Sequence, residues 1–182
     1  MRLTATATLS VRADFAQHHL RAAARAARRT YEIEAAGDAK VLGSGFDEIM
    51  TLVPTAISMA GAAIEANSNE LIQDVLDGKV RTSIMTDAKK ALLEELLEDR
   101  SGNALTRYRA LSLLREIVPD EKNVAWGEAA LLVSFRNFFM HFKPAWESTA
   151  SQPKKLAAKF EKNSKWRSHI SKTRTICFPR LV

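Results

Sequence analysis

Apolar positions along the chain fall into stretches whose spacing follows the turn of an α-helix. From Ala13 to about Ala36, Phe15, His19, Ala22, Ala26 and Ile33 share one face, while Arg21, Arg25, Arg28 and Glu32 share another. Arg28 and Glu32 are four apart and spaced to pair. Phe46 to Leu76 predicts a long helix, kinked at Pro54 and stopped by Gly78;. Within it, Ala60, Gly61, Ala62 and Ala63 are small enough to admit a second helix at close range. Asp87 to Asp99 predicts a third helix on Leu92, Leu93, Leu96 and Leu97, and Asn103 to Val118 a fourth on Leu105, Tyr108, Leu111, Leu114 and Ile117.

The stretch from Glu128 to Trp146 is different in kind. It is apolar on nearly every side, through Ala129, Leu131, Leu132, Val133, Phe135, Phe138, Phe139 and Met140. A helix of that pattern is expected at the centre of a fold, enclosed by others. Three polar residues interrupt it: Arg136, Asn137 and His141. A guanidinium enclosed in apolar surroundings is costly unless paired or functional, so chemistry is sought here first. Asn137 and His141 share a face, whereas Arg136 and His141 stand about 140° apart around the axis and flank one groove. Pro144 is expected to end the helix, which leaves His141 in the last turn, where the helix dipole favours a cation.

Composition agrees with an all-α chain. Seven Gly and five Pro are few for 182 residues, while Ala, Leu, Glu, Lys and Arg abound;. A single cysteine, Cys177, excludes an internal disulfide framework and a cysteine-built zinc site;. The loop from Gly37 to Gly45 lacks the Lys-Ser/Thr pair and preceding strand of a phosphate-binding loop. No helix is expected to cross a membrane, because the apolar run near Leu52 to Ile64 reads as too short and is interrupted by Pro54 and Gly61. A cytoplasmic chain is the expectation.

Charge changes the picture. The net charge is +6, but residues 150–182 hold nine Lys and Arg against one acidic residue, while residues 41–149 hold eleven against sixteen. A basic end beside an acidic middle points to a polyanion partner, or to a solvated tail. The domain expectation is a helical bundle over 1–149 followed by a basic segment over 150–182. In that segment Lys154, Lys155, Lys165, Trp166 and Arg167, with Lys143 before it, mix cations with an aromatic ring in a way suited to RNA;. Trp166 equally suits a tail pinned to the core.

The run Arg136-Asn137-Phe138-Phe139-Met140-His141 resembles the signature of HEPN domains, the "higher eukaryotes and prokaryotes nucleotide-binding" helical family. That signature is an Arg, commonly followed by a polar residue, with a His after four to six intervening positions; four intervene here. The stretch from Ala62 to Ile72 is similar to the family helix that packs against the motif helix. The resemblance implies a bundle of four to five helices, and the segment after Pro144 then reads as an incomplete last helix.

It further implies a metal-independent endoribonuclease, without cofactor, acting as a homodimer on RNA, of the kind found in toxin–antitoxin and defence systems. Arg136 would bind the scissile phosphate, His141 would serve as general acid or base, and Asn137 would position the His or the phosphate. Glu65 and Asn69, four apart, would support the imidazole or the guanidinium; the plain alternative leaves them simply exposed. Other family members are non-catalytic modules that bind RNA or a partner, such as an antitoxin or a nucleotidyltransferase. A third reading has Arg136 and His141 satisfying only each other or a core carboxylate.

Overall fold

The computed structural model describes residues 12–37, 43–80, 85–99 and 102–141, with Lys155, Ala158 and Lys159 beyond them. The described residues form five helices and no strand, so the chain is all-α. It divides into two compact units, Met1–Pro119 and Asp120–Val182. The boundary expected at residue 149 lies outside the described residues.

In the first unit, α1 (Ala16–Ala36) packs along α2 (Ser44–Leu76). The two run antiparallel and are tied near both ends. At one end Glu70 of α2 accepts the backbone N–H groups of Phe15 and Ala16, at 2.8 and 3.0 Å. The opening turn of a helix leaves its N–H groups without partners inside the helix. Phe15 at the cap position offers no side-chain acceptor, so a carboxylate from the neighbouring helix takes that role, favoured by the dipole. At the other end Arg29 donates through Nε and Nη2 to both carboxylate oxygens of Glu48.

Ala16, Ala23, Ala26, Thr30 and Ile33 of α1 are buried, as are Gly61 and Ala63 of α2. Small side chains on both helices are thus among the buried residues of this pair. The apolar stripe of α1 is rotated from the expected one: Phe15 is exposed, and His19 and Ala22 are half-buried.

The membrane expectation is corrected in one respect. α2 is a single helix of 33 residues, long and apolar enough by length and composition to cross a membrane. Pro54 does not interrupt it. Proline brings no N–H to the Met50 carbonyl four residues back, and Met50 is an exposed residue. The adjoining Thr51 and Thr55 hydroxyls donate to the carbonyls of Asp47 and Thr51.

The core lies where α3 (Asp87–Glu98) and α4 (Ala104–Leu114) meet the second half of α2. Ile72 and Val75 from α2, Leu93 from α3, and Leu111 and Leu114 from α4 form one buried cluster, with Leu96 and Leu97 packed against it. Full burial of a side chain such as Ile72 or Leu93 is worth about 1.5–3 kcal/mol. Thr86 and Asn103 cap the two helices by accepting the N–H groups of Lys89 and Leu105;.

Arg107 is 3% exposed. Its Nε and Nη2 donate to the carbonyls of Leu96 and Asp99 at 3.0 and 2.6 Å. A cation thus closes the C-terminal end of α3, where carbonyls lack helical partners and the dipole is negative.

α4 ends at Leu114, before the expected Val118, because the chain leaves it through a Schellman turn. Ile117 N–H donates to Ser112 O and Glu116 N–H to Leu113 O, with Glu116 at φ 61°;. α2 ends the same way, but with Gly78 in the left-handed position at φ 70°. Left-handed backbone is strained for a side chain bearing Cβ and free for glycine. Glu116→Gly is therefore expected to stabilise the chain by about 0.5–1 kcal/mol, and Gly78→Ala to destabilise it by about 1 kcal/mol, in urea unfolding. Nothing lies within 4 Å of a Cβ built on Gly78, so the second loss comes from the backbone alone.

The second unit contributes α5 (Val124–Met140). It starts four residues before the expected Glu128, because Asn123 caps it by accepting the Ala125 N–H at 2.9 Å;. The expectation of an enclosed helix is corrected: no residue of α5 is buried, and its large apolar side chains are half-buried at most.

Candidate functional site

Arg136, Asn137 and His141 occupy the C-terminal end of α5. Arg136 donates through Nη1 to Asn137 Oδ1 at 3.1 Å, in a hydrogen bond open to solvent. Neighbours in sequence do not normally face one another on a helix; the long arginine side chain spans the gap. Asn137 thereby orients the guanidinium, a role not among those expected for it.

The helix stops one residue earlier than the last-turn expectation requires. Its final residue is Met140, and His141 is the C-cap, at φ −117° and ψ 31°, with its N–H donated to Asn137 O at 3.0 Å. The proline at 144 disfavours helical backbone in the residue before it, so a helix has to close ahead of that point. His141 is exposed. Phe138 and Phe139 form an edge-to-face pair with centroids 5.3 Å apart. The end of α5 therefore presents a guanidinium bonded to the neighbouring amide and an exposed imidazole.

Of the RNA-binding residues expected from sequence, Lys155 is described and is exposed. Lys143, Lys154, Lys165, Trp166 and Arg167 lie outside the described residues. Among the described residues no three His, Cys, Asp or Glu side chains group closely enough to hold a metal ion.

Glu65 and Asn69 belong to the first unit, and neither is simply exposed. Glu65 is half-buried. Asn69 Oδ1 is a buried oxygen without a hydrogen-bond partner, a state that carries a desolvation cost. Their neighbours on α2 have defined structural work. Ser68 is fully buried and donates to Glu65 O. Asn67 Oδ1 accepts from the Tyr108 hydroxyl of α4 at 2.7 Å. Glu70 caps α1. Sequence reasoning singled out this stretch but missed Asn67 and Glu70 in these roles, because their partners lie 41 to 55 positions away.

Burial raises the Tyr108 phenol above its ordinary value of 10.0, and the negative charge of Glu70 adds to the shift. A group whose folded value is raised contributes stability present below the unfolded value and lost as pH rises through the folded one. Tyr108→Phe is expected to cost about 1 kcal/mol at neutral pH through the lost hydrogen bond. The gap between wild type and variant should then narrow above a pH of about 10, when denaturant unfolding is followed across that range.

Comparison with known proteins adds no relative: no family model, no curated protein and no solved structure matches the chain.

Proposed function

We propose that the chain is a metal-independent endoribonuclease whose reaction is carried by Arg136, Asn137 and His141. The observation that supports this reading most is the pairing at the end of α5: a guanidinium held by an amide at 3.1 Å and an exposed imidazole five residues on. Cleavage of RNA by its own 2′-hydroxyl asks for such groups. A fixed cation stabilises the charge that builds on the phosphoryl oxygens. A titratable ring takes the proton from the attacking hydroxyl or gives one to the leaving oxygen.

The 2′-oxygen attacks the phosphorus, the bond to the 5′-oxygen breaks, and the products are a 2′,3′-cyclic phosphate and a 5′-hydroxyl. One imidazole does not serve as base and acid at once. A homodimer, which brings a second His141 to the cleft, supplies both roles. A role in toxin or defence chemistry, with an antitoxin or nucleotidyltransferase partner, belongs to the same proposal.

The alternative reading is a non-catalytic module that binds RNA or a partner. It is favoured by the orientation of Arg136 toward Asn137, which holds an anion equally well without chemistry.

Purified protein incubated with single-stranded RNA in EDTA separates the two. The nuclease reading expects cleavage with 2′,3′-cyclic ends, reduced about 100-fold or more in His141→Ala and in Arg136→Ala. Both variants should keep the wild-type helical content, since these residues lie at the end of a helix. RNA bound but left intact would establish the module, and cleavage unaffected by either substitution would remove the assignment of these residues.

A further inference from the structure

The outward face of α1 carries Arg21, Arg25 and Arg28, all exposed. At 100° per residue they lie within about 60° of one another, and at 1.5 Å per residue they extend over about 10 Å of the axis. This stripe stands opposite the buried line of Ala16, Ala23, Ala26, Thr30 and Ile33. Beside it run two exposed apolar side chains, Leu20 at 59% and Tyr31 at 68%.

The ion pairs on α1 leave this stripe available. The expected Arg28–Glu32 pair is not among those formed. Glu32 instead stands 3.6 Å from Arg29, which is itself engaged by Glu48 at 2.7 Å. Among the described residues, Arg21, Arg25 and Arg28 form no ion pair. Three cations thus stand in a row on a rigid helix, with an open phenol ring three residues beyond the last of them.

We infer that this face of α1 is a docking strip for single-stranded nucleic acid, with Arg21, Arg25 and Arg28 on successive phosphates and Tyr31 stacking on a base. Cations in a row beside an exposed aromatic ring are the pattern by which single strands are held without sequence preference. A lipid surface fits less well, because an interfacial helix needs a broad apolar face. On α1, Leu20 and Tyr31 are the large exposed apolar side chains beside the stripe, and Glu32 continues the arginine line one turn beyond Arg28;. The inference draws on the RNA reading above for its ligand, but it does not need cleavage.

The test uses the full chain carrying His141→Ala, in EDTA, with a fluorescently labelled single-stranded RNA and anisotropy as the readout. Adding Arg21→Gln, Arg25→Gln and Arg28→Gln together should weaken binding at least tenfold at low salt. It should also flatten the dependence of log K on log salt by about 2, from about 0.7 per phosphate contact on a single strand. Tyr31→Ala alone should weaken binding about fivefold or more without changing that slope.

Removing the exposed charges of Lys90, Arg115 and Lys122 in the same way should change binding much less. Equal losses in the two triple variants would overturn the strip in favour of general charge. Wild-type affinity in the arginine variant would overturn it outright. Vesicles of anionic lipid that bind through these arginines while RNA does not would replace it by a membrane contact. RNA that is cut normally by a chain carrying only the arginine changes, with unchanged binding, would sink the strip and leave the nuclease standing. RNA bound through the strip but never cut would do the reverse.

Discussion

The first unit depends on the way α2 holds α1. One carboxylate, Glu70, receives the opening amides of α1, and a second, Glu48, grips Arg29 near its far end. The seam between them is lined by alanine, glycine and threonine, whose small side chains bring two backbones close but contribute little apolar area each. Such a seam does not fix its own register strongly. The two acidic fixings do, because a shift of one residue turns the helix by 100° and moves its amides away from Glu70. They also fix which arginines of α1 face solvent.

Charge supports the remainder of this unit in the same manner. Arg107 closes the end of α3 from within, and Arg12 and Lys79 meet Asp74 and Asp77 where α2 ends. Hydrogen bonds from Gln73 and then Lys79 hold the Asp77 carboxyl below its usual range, and the Arg29 bond does so for Glu48. Both carboxylates are open to solvent, where single pairs contribute little. Arg107 is a different case, since a buried guanidinium stripped of its acceptors is strongly destabilising. Stability in this unit rests on the Ile72–Leu93–Leu111 cluster, while the charges set geometry.

Much of this was legible in the sequence, for a physical reason. Leu93, Leu96 and Leu97, Leu111 and Leu114, and the small residues around Gly61 are signalled by local periodicity, which burial preserves. Glu70, Asn67 and Arg107 were not legible, because their partners are distant in sequence and their residue types are those of ordinary surface. The end of α4 escaped for the opposite reason: Glu116 takes a backbone shape that glycine usually marks. Pro54 misled because a proline removes one hydrogen bond from a helix without having to end it;. At the candidate site, the motif residues were visible in α5, but neither the bond between Arg136 and Asn137, which are neighbours that do not normally face one another on a helix, nor the capping position of His141 follows from spacing;. The uniform apolarity of α5 suggested enclosure, and none of its residues is buried.

The claim that α2 holds α1 by its first turn is tested most directly by amide hydrogen exchange at Phe15 and Ala16, measured by NMR in the wild type and in Glu70→Ala. Both amides are expected to be protected in the wild type and to exchange as free amides in the variant, while Leu93 and Leu111 keep their protection. Phe15 and Ala16 amides that exchange freely in the wild type, or stay protected without the Glu70 carboxylate, would contradict it.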